Sequence, residues 1–233
     1  PYIRSKKSHR KKVYFEMIER HVLNHASAIH FTTAEEQKLT TDLQLKAPGI
    51  VIPNGISDRS FELSNPYLFL KQFPQAIGKR VILFLSRLHE KKGLDLLIPA
   101  FAAATKSFDS LFLVIAGPDD GFEKKARKLA ATCGINLQCL FPGMLTGDLK
   151  MSALSAAELF VLPYYSENFG IVVLEALAQK KPVIISDKVN LFPEITKHCS
   201  GLVVECTTKS LEKAMARLLA NTDKAIEMGQ RRY

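Results

Sequence analysis

The sequence predicts an α/β fold, a Rossmann-like doubly wound parallel sheet, and three observations predict it. Near-continuous runs of Val, Ile and Leu recur from residue 80 onward, helix-periodic segments alternate with them, and Arg87, Gly117, Gly143 and Glu167 stand just after such runs. Strands buried on both faces read as unbroken apolar runs. Their alternation with helices implies parallel strands joined by crossovers. Sheets of this kind bind ligands beyond the carboxyl ends of their strands, where strand order reverses.

The elements follow in order. From Lys11 to His25 the residues Val13, Tyr14, Met17, Ile18, His21 and Val22 fall on one helical face. Ser27 to Thr33 is a short β-type run. Thr33 caps the helix of "AEEQKL", with Glu36 completing a capping box. "GIVIPNGI" is a strand broken by Pro53-Asn54-Gly55, and the stretch to Gly78 is poorly patterned. Then come a strand over 80–87, a helix over 93–107, a strand over 111–117 and a helix over 123–133. A strand over 135–143, a helix over 146–157 and a strand over 158–163 continue the alternation. A helix after Gly170, the strands "PVIIS" and "GLVVE", and helices starting near Thr208 and Thr222 finish the chain.

Composition narrows the class. With 233 residues, 47% hydrophobic and 24% charged, the chain can bury a sizeable core in one or two domains. No apolar run reaches the ~20 residues a bilayer demands, and no secretory signal opens the sequence. Cys133, Cys139, Cys199 and Cys206 form no C-x-x-C pair. They read as reduced thiols of a cytoplasmic protein, and neither their spacing nor the histidines suit zinc. The net charge is +9, much of it in "RSKKSHRKK", Arg4 to Lys12. That segment is either a solvated basic end or a contact for anionic lipid, which would put the chain peripherally at the inner membrane face. Nucleic acid is not expected, since no aromatic-interleaved basic motif accompanies the charge.

The strand ends carry the candidate chemistry. Arg87 gives a planar fork and Lys92, before a helix, a mobile point charge. Together they suit a diphosphate, or else belong to a charged surface loop. In "ENFGIVVLEA" the backbone of Asn168, Phe169, Gly170 and Ile171 opens a helix, and helix N-termini favour phosphate. Glu167 and Glu175 flank that cradle. Carboxylates are hydroxyl acceptors, so the order sugar, diphosphate, ribose describes a nucleotide sugar. Read alone, each glutamate is equally a dipole or polar-face residue, but Glu175 sits among Leu174, Ala176, Leu177 and Ala178 and needs a partner. Phe141, Gly143 and Met144 in "FPGML", with Gly117, offer room and a backbone edge for a base, or a plain turn. Asp119 and Asp120 read as turn and cap residues.

Taken together, "SRLHEKKGLDLLI", "IAGPDDG", "FPGML" and "SENFGIVVLEALAQKKPVI" resemble the retaining glycosyltransferases of family 4. Glu167 to Glu175 matches that family's E-x7-E motif with its interior Phe169-Gly170. The resemblance runs from about Ile50 to the C-terminus, where "IPNGI" matches the start of the second lobe of a two-lobed GT-B enzyme. Residues 1–49 are similar to the tail of the first, acceptor lobe, and 50–233 to the nucleotide-sugar-binding lobe. The resemblance implies sugar transfer from a nucleotide-diphosphate sugar to a glycan, lipid or small-molecule hydroxyl with configuration retained, and no metal. It implies that Arg87 and Lys92 stabilise the leaving diphosphate, that Glu167 contacts sugar hydroxyls and Glu175 the ribose. It also implies that most of the first lobe lies outside this sequence, so that the chain holds a donor half-site and does not turn over alone. An epimerase of the same fold and a non-catalytic nucleotide- or partner-binding module are the competing readings.

Overall fold

A computed structural model describes residues 8–231. The basic positions Arg4, Lys6 and Lys7 lie outside the described residues. Helix Ser8–Tyr14 runs through a π-helical segment, Phe15–Glu19, into helix Arg20–Asn24; these form α1. Its expected apolar face is present, with Val13, Tyr14, Met17, Ile18 and Val22 all exposed. Strand β1 (Ile29–Phe31) pairs in parallel with β2 (Gly49–Val51) across helix α2 (Ala34–Leu39). Thr33 caps α2, its Oγ1 accepting from the Glu36 amide at 3.0 Å. The reciprocal bond differs from the expected box: Glu36 Oε2 accepts from Thr32 N and Thr32 Oγ1, one residue earlier. The expected division between residues 49 and 50 falls inside β2, whose three residues all pair with β1.

The larger sheet has six parallel strands: β3 (Arg80–Leu85), β4 (Leu111–Ala116), β5 (Cys139–Gly143), β6 (Ala157–Leu162), β7 (Val183–Ser186) and β8 (Gly201–Val204). Their order is β5-β4-β3-β6-β7-β8. The chain therefore winds outward from β3 to β5, returns to the centre at β6, and winds the other way. This is the doubly wound order, with its reversal between β3 and β6. All six residues of β4 are buried, as are Val81 to Phe84 of β3, because crossover helices cover both faces of a parallel sheet.

Those helices are α4 (Leu94–Ala104), α5 (Glu123–Thr132), α6 (Gly147–Ala156), α7 (Ile171–Ala178) and α9 (Thr208–Leu219), with α10 (Thr222–Gln230) closing the chain. Two further helices escape the sequence pattern: α3 (Tyr67–Gln72) and α8 (Phe192–His198). Each is short, with a proline at the N-cap of α3 (Pro66) and in the first turn of α8 (Pro193), so no apolar period develops. Instead α3 is tied down by α6: Ser152 Oγ accepts from Phe69 N at 2.9 Å and donates to Asn65 O at 2.7 Å. β5 also starts later than expected, after a 3-10 turn at Asn136–Gln138.

Candidate functional site

The loops leaving β3, β4, β6 and β7 are fastened to one another by backbone hydrogen bonds. Leu88 N donates to Pro118 O, and Asp120 N to Leu88 O, which joins the loops after β3 and β4. Tyr165 N donates to Lys91 O at 2.9 Å, bringing the Glu90–Lys92 turn to the exit of β6. Glu167 N donates to Lys188 O and Glu167 O accepts from Asn190 N, which pins the next loop to the exit of β7. A rigid rim thus surrounds the point where strand order reverses.

A cleft of about 590 Å³ opens there. Among its lining residues are Arg87, Lys92, Gly117, Met144, Glu167, Gly170, Ile171 and Glu175. The strand-end candidates, distant in sequence, are therefore brought together. Lys92 is buried; its Nζ donates to Glu167 Oε2 at 2.6 Å and lies 3.9 Å from the centre of the Tyr164 ring. Tyr164 is itself buried, and desolvation pushes its phenol well above its ordinary range. Arg87 is exposed and its Nη1 bonds Asp120 Oδ2 at 2.8 Å. Glu175, in the second turn of α7, accepts from Lys150 Nζ at 2.6 Å. Each cation of the cleft thus holds one carboxylate.

Gly170 is the N-cap of α7 and adopts φ 69°, ψ 56°. The left-handed conformation selects glycine here; a Cβ would meet Val189 no closer than 3.4 Å, so close packing does not. Gly117 is selected by packing, since a Cβ there would overlap the Ser86 carbonyl. At Gly170 to Val172 the N-terminus of α7, with N–H groups that have no backbone partner among the described residues, lines the cleft with its positive dipole end.

Four candidates do not line this cleft. Phe169 is buried in the core. Phe141 lies under the Arg127 guanidinium, 4.3 Å from its ring centre. Gly143 ends β5 and its carbonyl accepts from Gly117 N at 2.8 Å. Asn168 instead borders an adjoining cavity of about 420 Å³ with Arg87, Lys92 and Glu167, and its Nδ2 donates to Glu36 Oε1 at 2.8 Å, linking this loop to α2. The Asp119-Asp120 expectation divides. Asp119 is a cap: the Glu123 amide foremost, with those of Phe122 and Gly121, holds its carboxyl below the ordinary range. Asp120 instead faces Arg87. Lys150 went unnoticed in the sequence, although the need of Glu175 for a partner was a signal that one existed.

Among the described residues no helix is long and apolar enough to cross a membrane. Residues 69–233 match the family model of glycosyl transferases group 1. Similar curated proteins include a GDP-mannose-dependent alpha-(1-6)-phosphatidylinositol monomannoside mannosyltransferase of Mycobacterium tuberculosis, 34% identical over 66% of this chain and 42% of that one. A phosphatidyl-myo-inositol mannosyltransferase of Mycobacterium leprae is 32% identical over 76% of this chain and 46% of its own length. The chain thus spans less than half the length of these two relatives. Among solved structures, sucrose-phosphate synthase from Thermosynechococcus elongatus superposes with a TM-score of 0.82 at 23% identity, over 98% of this chain and 58% of that one. Anabaena HepE in complex with UDP and glucose gives 0.80 at 20% identity, over 92% and 59%. With the family model spanning most of the chain and a doubly wound lobe that superposes on two-lobed GT-B enzymes, this chain belongs to the group 1 glycosyl transferases.

Proposed function

We propose that the chain carries the donor site of a retaining glycosyltransferase, one that moves a sugar from a nucleotide-diphosphate donor to an acceptor hydroxyl. The observation behind this reading is the cleft at the β3/β6 reversal, where Arg87, Lys92 and the N-terminus of α7 converge between Glu167 and Glu175. Loss of the sugar from its donor leaves negative charge on the diphosphate. Fixed cations and a helix dipole in a partly enclosed cleft are suited to stabilise that charge. Arg87 and Lys92 take this role, without a metal, Glu167 accepts from sugar hydroxyls, and Glu175 from the ribose. Residues 8–51, with their own two-stranded sheet, are assigned to the end of an acceptor lobe. The relatives' names and ligands make GDP and UDP the first nucleoside diphosphates to try.

Calorimetric titration with UDP, GDP and ADP tests the reading, on the chain and on the double variant Arg87→Ala/Lys92→Ala. One diphosphate should bind, equally well with EDTA present, and the double variant should lose it by roughly a hundredfold, as loss of charge-assisted hydrogen bonds predicts. A diphosphate held as tightly by the double variant would sink the clamp.

A further inference from the structure

Lys150 has no place in the donor reading as it stands, yet the structure gives it one. It lies on the first turn of α6, and its ammonium reaches Glu175 Oε1 on α7 at 2.6 Å inside the cleft. Of the three ion pairs there, this one holds the most enclosed acid: the Glu175 side chain is 14% exposed, against 26% for Glu167 and 41% for Asp120. A carboxylate so enclosed among apolar neighbours is costly unless a fixed partner holds it. Lys150 occupies one of its oxygens. Among the described residues the other oxygen has no hydrogen-bond partner, and Glu175 lines the cleft. The α6 helix follows the 144–146 turn, which also lines the cleft, so Lys150 couples this wall to the glutamate.

We propose that Lys150 is a positioning residue that sets the recognition of ribose: it holds Glu175 by one oxygen and thereby aims the other at the vicinal hydroxyls of a nucleoside diphosphate. The inference rests on the donor reading above and deepens it. Lys150 does not contact phosphate in this account; Arg87 and Lys92 do.

The test separates the ribose end of a ligand from its phosphate end. UDP and GDP, their 2′,3′-dideoxy forms and inorganic pyrophosphate are titrated into the chain and into Lys150→Met, Lys150→Arg and Glu175→Gln. Melting curves show that each variant is folded. The chain should prefer the ribose form by about ten- to a hundredfold, the range for hydrogen bonds to a charged group. Lys150→Met should reduce that preference to about threefold or less, as should Glu175→Gln, while pyrophosphate affinity stays unchanged. Lys150→Arg should restore part of the preference. Undiminished ribose preference in Lys150→Met would overturn the proposal. So would equal losses for pyrophosphate and nucleoside diphosphate, which would mean a direct phosphate contact. Binding of UDP or GDP with no ribose preference in the unaltered chain also overturns it, yet leaves the diphosphate clamp standing. Absence of any nucleoside-diphosphate binding fails the donor reading itself.

Discussion

The junction between α4 and the exit of β6 can be tested with a single methyl group. Gly93, the residue after Lys92, is the N-cap of α4 with φ 69°. A Cβ there would overlap the Pro163 carbonyl oxygen, and would lie 2.8 Å from its carbon and 3.1 Å from Pro163 Cγ. Ordinary carbon contacts need ~3.5–4.0 Å, so α4 and the β6 exit must part by about 1 Å. Gly93→Ala then carries two costs. The left-handed backbone costs ~1–2 kcal/mol and the overpacking ~1–3 kcal/mol. The sum, about 2–5 kcal/mol, is a large part of a typical total of ~5–15 kcal/mol. At ~2–4 °C per kcal/mol for a chain of this size, the melting temperature should fall by at least about 4 °C. Gly134→Ala is the control, with a matching φ of 72° and nothing within 4 Å of the added Cβ. It should show the backbone cost alone. Urea unfolding of both variants reads the difference as the contact. The same separation would shift the neighbouring Lys92 relative to Arg87 and the start of α7, so Gly93→Ala should also weaken diphosphate binding, and Gly134→Ala should not. A Gly93→Ala variant as stable as Gly134→Ala would refute the packing argument.

Two further predictions concern parts remote from that junction. Gln179 is buried at the end of α7, where its amide accepts from Ser64 N and donates to Ser60 O and Glu62 O, each at 2.8 Å; Gln179→Leu strands all three groups. At ~1–3 kcal/mol per unsatisfied buried group it should cost about 3 kcal/mol or more in urea and expose 60–64 to hydrogen exchange, and a change under about 0.5 kcal/mol would contradict this. Among the thiols, burial pushes Cys139 up to about 12 and Cys206 up to about 11, while Cys199 is exposed. Thiolates are the reactive form, so brief alkylation at pH 8, read by peptide mass spectrometry, should modify Cys199 first; Cys139 reacting as fast would count against its burial.

How far the sequence could be read follows from the physics of each element. β3, β4, β6 and β7 lie within a residue or two of expectation, because a doubly covered strand must be apolar at every position. α3 and α8 could not be found that way. They are six and seven residues long, below the length at which an apolar period shows; a bond to Ser152 holds α3, and the buried Ile195 anchors α8. The site shows the same division. Arg87, Lys92, Glu167 and Glu175 were legible because strand ends and a helix start mark them. Their partners Asp120 and Lys150 were not, because pairing across the cleft depends on which strands are neighbours. That order, β4-β3-β6 at the centre, is a property of the folded sheet and no local pattern records it.

The pairing also bears on why carboxylates stand beside a cleft that the donor reading assigns to a diphosphate. Left alone, Arg87, Lys92 and Lys150 would repel one another across a shared space, and two of the three are largely shielded from water. Asp120, Glu167 and Glu175 neutralise them, the two shielded pairs by roughly 4 kcal/mol of Coulomb attraction each at an effective dielectric near 20, and the exposed Arg87–Asp120 pair by about 1 kcal/mol or less. A phosphate that enters must offer Arg87 and Lys92 at least as much as the acids it displaces. The displaced acids then need donors of their own, or they oppose the ligand. A bare diphosphate has none to give, and a bare sugar cannot draw the cations away. A molecule with phosphates flanked by hydroxyls satisfies both sets at once. The arrangement therefore discriminates by exchange of partners, and its selectivity should exceed what either end of the ligand contributes separately.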